Sequence, residues 1–179
     1  FPFNDRYNTH QWNLINNGDI VDGALAGADV GVKDAWRLTG GDPSVVVAVF
    51  DCAVNSTHED LTDALWVNEK ELNGESGKDD DGNGYVDDIH GWDCVGNDND
   101  PMDDNGHGTH VAGIIAANDD DEGFYGVVPY AQLAICKVFG DDGAGTTAMS
   151  LAAISDMALL GVDVINMSIG TSAGCSPEG

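Results

Sequence analysis

His107 lies between two glycines in the run Asn105-Gly106-His107-Gly108-Thr109-His110, and an apolar segment, Val111 to Ala117, follows it. The glycines permit a tight turn and the close approach of an extended strand. The small residues Ala112, Gly113, Ala116 and Ala117 predict a buried helix packed closely on a sheet. Taken alone, two histidines three residues apart read as a helix face or a metal pair. Asp51 closes a β-branched run, Ser44 to Phe50, of the kind that forms a strand buried on both faces of a parallel sheet. Active sites in open parallel sheets lie beyond the carboxyl ends of strands, so an acid at this point is placed for chemistry. An isolated aspartate there is equally a cap or a turn residue.

A second kind of chemistry is oxygen ligation. Asp79, Asp81, Asn83 and the Tyr85 carbonyl fall at alternate positions with Gly84 at the sixth place, the register of a calcium loop like that of an EF-hand. The twelfth position is His90 rather than Glu, so the full EF-hand is absent and Asp87 or Asp88 has to close the site.

The composition agrees with cation binding. Against 6 basic residues the chain carries 32 acidic ones, a formal net charge of -26, which excludes attraction to nucleic acid or an anionic membrane through general electrostatics. The acids gather in Asp/Asn/Gly loops instead of along helical faces, which favours divalent ions over solvation. With 179 residues and 42% hydrophobic composition the chain can bury one sizeable core, and its length points to one domain. No apolar run approaches a membrane span, and no basic-then-apolar leader opens the chain. A start at Phe1 fits a processed secreted protein or a trimmed one, and secretion is the expectation. Cys52, Cys94, Cys136 and Cys175 have neither knuckle nor scaffold spacing. Cys136, in an apolar strand, reads as inert; a bridge through Cys94 or Cys175 fits an oxidising compartment, and buried free thiols are the alternative.

The elements that must position these groups follow in order. Residues 1–22 read as an extended arm laid over the domain, and Gly27 to Leu38 as a short helix stopped by Gly40-Gly41-Asp42-Pro43. Residues 67–104 are loop-rich, with two acidic clusters separated by Ile89-His90-Gly91-Trp92. Ala131 to Phe139 and Val162 to Ile169 read as further strands, and Thr146 to Leu160 as a helix capped by Thr146 or Thr147, with Met149, Ile154 and Met157 toward the core. Strands separated by helices predict an α/β fold with a parallel sheet flanked by helices.

Four blocks, VVVAVFDCAV, NGHGTHVAGIIAA, GVVPYAQLAICKVF and GVDVINMSIG, resemble the subtilases, the subtilisin-like serine proteases, in content and order. The resemblance spans most of residues 1–179 and implies a subtilisin-like fold present as its N-terminal portion. In that family His107 would be the general base for a serine hydroxyl and Asp51 would fix its tautomer, with His110 structural. A serine is a weak nucleophile at its own pKa, so it needs such an oriented base. The family also implies that an extended polypeptide substrate is held between Gly143-Ala144-Gly145 and Ser168-Ile169-Gly170 by main-chain hydrogen bonds. With the loop read above from its own residues, Asp79, Asp81, Asn83, Tyr85 and Asp88, as the first place for Ca2+, it implies two more. The second is the thermitase-like set Asp93, Asp98 and Asp100 with the Met102 carbonyl, in which Gly96 stands where a further polar ligand is usual. The third, Asp5, Asp60 and Asp121 with backbone oxygens near Asn118, Gly123 and Tyr125, would tie the arm to the body. Three ions would neutralise roughly six charges.

The sequence departs from the family in two respects. Cys52 and Ala53 follow Asp51 where Ser or Thr and then Gly are general, and a glycine-only conformation at position 53 would strain Ala53 and shift Asp51. No nucleophile serine block or oxyanion asparagine block follows Gly170. The expectation is a serine endopeptidase whose serine lies on a C-terminal portion, the partner of this chain, with the boundary near Ser176-Pro177-Glu178-Gly179. The alternative is a degenerate, non-catalytic subtilase that acts as a calcium-stabilised binding protein.

Overall fold

In a computed structural model, which describes residues 5–19 and 21–170, four parallel strands form one sheet in the order β2-β3-β1-β4. The strands are β1 (Val46–Asp51), β2 (Gly91–Asp93), β3 (Gln132–Lys137) and β4 (Val164–Met167). β1 and β3 pair in register, with Phe50 opposite Cys136 and Asp51 opposite Lys137. The amide N–H groups of Val138 and Phe139 also donate to the Asp51 carbonyl, at 3.0 and 3.3 Å, so the backbone of Asp51 is pinned where the strand ends.

The alternation of β1 explains its uninterrupted apolar sequence. Val47 and Val49 pack on one face against Val111, Ala112 and Ala116 of helix α3 (His107–Ala116). Ala48 and Phe50 pack on the other against Ala153 and Met157 of helix α4 (Thr147–Leu160). A strand covered on both sides has no position for a polar side chain until it emerges, and it emerges at Asp51.

Helix α4 is capped by Thr146, whose hydroxyl accepts the Met149 N–H at 3.2 Å, and it ends at Gly161 in the left-handed region. Two shorter helices, α1 (Val32–Ala35) and α2 (Glu69–Leu72), complete the described elements together with two 3-10 turns. α1 is shorter than the Gly27 to Leu38 segment predicted for it. The arm is held by turns and is not fully extended: a 3-10 turn covers Asn8–His10, and Leu14 is buried with Val32, Trp36 and Tyr125. Tyr7 N–H donates to the Gly123 carbonyl at 3.1 Å and Gln11 Nε2 to that of Tyr125 at 2.8 Å.

The cysteine expectations resolve in part. Cys52, Cys94 and Cys136 are free thiols, with the Cys94 and Cys136 sulfurs 4.0 Å apart on one face of the sheet. Cys175 and the segment Ser176 to Gly179 lie outside the described residues.

Candidate active site

Helix α3 begins at His107 because the residues before it bend the chain and cap the helix. Gly106 adopts φ 98°, a conformation that disfavours any side chain. Gly108 leaves room for the loop after β1, since a Cβ there would stand 1.9 Å from the Ala53 carbonyl oxygen. The glycines on either side of His107 thus bring the first turn of α3 onto the end of β1.

The consequence is a direct contact. His107 Nδ1 and Asp51 Oδ1 are 2.7 Å apart. Asp51 is 1% exposed, and Oδ1 also accepts the Cys52 N–H at 2.8 Å, while its buried Oδ2 has no hydrogen-bond partner among the described residues. A carboxylate only accepts, so Nδ1 carries the proton and Nε2 is left with a lone pair. The His107 side chain is 54% exposed and lines a cleft of 260 Å³ shared with Asp51, Cys52, Phe139, Gly143 and the segment 168–170. Burial, and after it the Asp51 charge, push the Cys52 thiol up, so position 52 stays a neutral neighbour of the carboxylate.

Ala53 does occupy the left-handed region, at φ 94°, yet the Asp51–His107 contact is intact. The strain expected at this position is present, and the expected displacement of Asp51 is not. Relieving it with Ala53→Gly stabilises the protein by about 1 kcal/mol. That raises Tm by about 2–4 °C in a domain of this size, measured by thermal unfolding.

Asp103 is a positioning residue that the sequence reading passed over. Its Oδ1 accepts the N–H groups of Asn105 and Gly106, both at 2.8 Å. Its Oδ2 accepts the Thr109 N–H at 3.0 Å and the Thr109 hydroxyl in a short bond. Thr109 Oγ1 in turn accepts the Asn55 N–H at 2.9 Å, which ties the start of α3 to the loop beyond Asp51. Burial raises the Asp103 pKa, but the hydrogen bonds from Gly106, Thr109 and Asn105 outweigh it and hold the carboxyl below its usual range. A depressed carboxyl contributes stability above its unfolded pKa and loses it as pH falls through the folded value. Asp103→Ala costs about 1–2 kcal/mol at pH 7 and less at acid pH, read from unfolding midpoints across pH.

Of the residues expected to flank a substrate strand, Gly143, Ser168, Ile169 and Gly170 line the cleft. Ala144 and Gly145 belong to the facing hairpin, where Gly140 N–H donates to the Ala144 carbonyl at 2.9 Å and Gly145 pairs with Phe139. His110 stands away from His107, in a separate 710 Å³ cavity with His10 and His58.

In the acidic loop two of the expected residues, Asp81 and the closing Asp88, come together, joined by one from outside the loop. Ligand oxygens of Glu71, Asp81 and Asp88 lie within 4.8 Å of one another, the one such group of three among the described residues. Glu71, on α2, was not anticipated, because it stands outside the loop; its Oε1 accepts the Asp80 and Asp81 N–H groups at 2.7 and 3.0 Å. Asp88 is fully buried between the amides of Asn68 and Asn83, at 3.0 and 2.9 Å. Burial, joined by the charges of Asp81 and Glu71, pushes it up to about 6 against the hydrogen bonds of the two amides. Asp79 instead caps the loop, accepting the N–H groups of Gly82, Asn83 and Gly84. Tyr85 reaches α4, its hydroxyl donating to Asp156 in a short bond, and Asn83 Oδ1 accepts the Tyr85 N–H at 2.7 Å.

At the arm, Asp5 is 1% exposed; its Oδ1 accepts the Asp121 N–H at 2.8 Å and its Oδ2 is buried without a hydrogen-bond partner among the described residues. Burial raises both Asp5 and Asp60. The third set is looser: Asp93 and Asp98 exchange backbone hydrogen bonds, while Asp100 is exposed and donates its N–H to Asp98 Oδ1 at 3.0 Å.

With this geometry in hand, the profile of the subtilase family (peptidase S8) matches residues 42–178. The chain belongs to the subtilase family. Subtilisin-like protease 1 of Plasmodium berghei (strain Anka) is 40% identical over 146 residues, which cover 80% of this chain and 22% of that protein. The thermophilic serine proteinase of Bacillus sp. (strain AK1) is 36% identical over 137 residues, 76% of this chain and 28% of its own length. The crystal structure of a serine protease of Aeromonas sobria superposes with a TM-score of 0.72 at 28% identity, covering 97% of this chain and 27% of that one. The parallel sheet and its flanking helices are thus part of a subtilisin-like fold, and the chain spans only a fraction of each relative's length.

Proposed function

We propose that this chain supplies the acid and the base of a subtilase serine endopeptidase. The observation that carries the reading is the 2.7 Å contact between buried Asp51 and His107 beside an open cleft. His107 Nε2 takes the proton of a serine hydroxyl as its oxygen bonds to the substrate carbonyl carbon. The resulting imidazolium, stabilised by Asp51, returns the proton to the departing amine as the peptide bond breaks. An extended polypeptide between residues 143–145 and 168–170 presents that carbonyl.

The serine belongs to a C-terminal portion that completes the domain. β4 is the open edge of the sheet, with Val164 50% and Met167 38% exposed. Beside it runs an apolar groove of 490 Å³ lined by Val47, Ile115, Val128, Val164 and Ile165. An unpaired edge next to apolar surface calls for further strands.

Calcium is the resident metal in this reading. The convergent Glu71, Asp81 and Asp88 carboxylates and the unpartnered Asp5 Oδ2 both suit a hard cation that takes oxygen ligands. Asn83 joins the first site, and Asp60 and Asp121 the second. Bound calcium compensates buried charge and holds the arm and the loop in place. An acidic, calcium-held surface fits a secreted enzyme; no helix among the described residues is long and apolar enough to cross a membrane.

The test is digestion of unfolded casein by the protease assembled from this chain and its remainder, with fragments read by mass spectrometry. Internal cleavage is expected, reduced about 10,000-fold by Asp51→Asn, which leaves the wrong imidazole tautomer. Equal cleavage by the variant overturns the proposal.

A further inference from the structure

Lys137 ends β3 and is only 7% exposed, an unusual place for an ammonium group. Its Nζ lies 3.7 Å from Asp93 Oδ2, 3.4 Å from the Met102 carbonyl oxygen and 3.2 Å from Asp141 Oδ1. Two of these oxygens, on Asp93 and Met102, are the ones the family pattern gives to a metal.

The remaining carboxylate oxygens of Asp93 and Asp98 are already engaged or face a gap, and Asp100 is exposed. Asp93 Oδ1 accepts the N–H groups of Val95 and Gly96 at 2.7 and 2.8 Å, and Asp98 Oδ1 accepts that of Asp100. Asp98 Oδ2 and Asp93 Oδ2 come within 2.9 and 3.1 Å of where a Cβ on Gly96 would be. They therefore converge above a residue that offers no ligand. A divalent ion bound to Asp93 Oδ2 would stand close to a buried ammonium and be repelled by it.

We infer that the Lys137 ammonium is the resident cation of the Asp93–Asp98 loop, standing where related proteases hold a metal. The loop is then fastened to β3, one residue across from Asp51, without calcium. This narrows the calcium reading above to two sites, but it rests on a difference between variants and not on the total bound.

Equilibrium dialysis with radioactive calcium on this chain assembled with the remainder of its domain tests it. Asp98→Asn in the parent leaves the number of bound ions unchanged. Lys137→Met adds one ion, and Lys137→Met with Asp98→Asn loses it again, while Lys137→Arg matches the parent. A parent that loses an ion on Asp98→Asn overturns the inference, as does a folded Lys137→Met protein that gains none. Should Lys137→Met not fold, the Asp98→Asn count in the parent decides alone. A parent that binds no calcium, with Lys137→Met still gaining one ion, defeats the calcium reading of the other sites and leaves this one standing.

Discussion

His107→Ala in the assembled protease lowers kcat by about a million-fold. That is the size of the loss when the histidine of subtilisin, a member of this family, is removed, and it is carried over from there. The reason lies in the geometry. The Asp51 carboxylate holds the proton on Nδ1 at 2.7 Å and leaves Nε2 as the base in the cleft. Without the ring the serine keeps its proton at neutral pH, and no other described residue of the cleft is a base of suitable strength. Alanine at position 107 retains the helix start that Gly106 and Asp103 define, so KM and Tm change little while kcat collapses. A matched fall in KM binding or in Tm would instead assign His107 a structural role.

On the calcium reading, chelation gives the second large effect, and Asp88 gives it a sign. At a calcium concentration a thousand times Kd, each site contributes about 4 kcal/mol of stability. In a domain of this size chelation lowers Tm by about 8–16 °C per site. The Asp88 carboxyl is pushed up to about 6 by burial, so the folded chain holds this proton more tightly than the unfolded chain does. Without metal, its contribution falls as pH rises from the unfolded value near 3.9 through about 6. With calcium the ionised form is the one bound, and stability rises over the same interval. Asp88→Asn offers one acceptor where two amide N–H groups now donate, so it lowers Tm modestly in chelator at pH 7 and by several degrees more in calcium. Calorimetry in the two buffers reads the difference, and an equal fall in both would remove the metal from this loop.

Much of the sheet was legible because burial on both faces writes itself into sequence. β1 and β3 are apolar runs whose alternate residues serve opposite cores, as Val49 and Phe50 do, while β4 is a shorter apolar run that packs only through Ile165. β2 was not visible: it has three residues, Gly91 to Asp93, inside an acidic loop, and it exists only because β3 offers a paired edge. α2 is the polar turn Glu-Lys-Glu-Leu, too short to show a period, and its role lies in one residue, Glu71. A buried acid behind the Asn68 cap was the signal available for it, and that requires knowing which side of the turn faces inward.

The Asp51–His107 pair was read from its setting, the end of a buried strand and a histidine between glycines. What supports the pair was not. Asp103 is one aspartate in a stretch dense with them, and nothing local distinguishes the one that caps α3 from Asp100, which remains exposed. Lys137 was hidden for the opposite reason, as a lone cation at the end of an apolar strand whose partners come from 44 residues upstream and 4 downstream. Spacing reveals ligands within one loop, whereas ion pairs across elements appear only once the strands are in register.

The most direct test of the central claim is labelling of the assembled protease by a serine-directed fluorophosphonate, followed by intact and peptide mass spectrometry. Stoichiometric labelling of one serine in the remainder of the domain, abolished by His107→Ala and restored by none of the calcium-site variants, is the predicted result. Absence of label in a folded, calcium-loaded protein, or labelling at an unchanged rate in His107→Ala, would show that Asp51 and His107 do not activate a nucleophile.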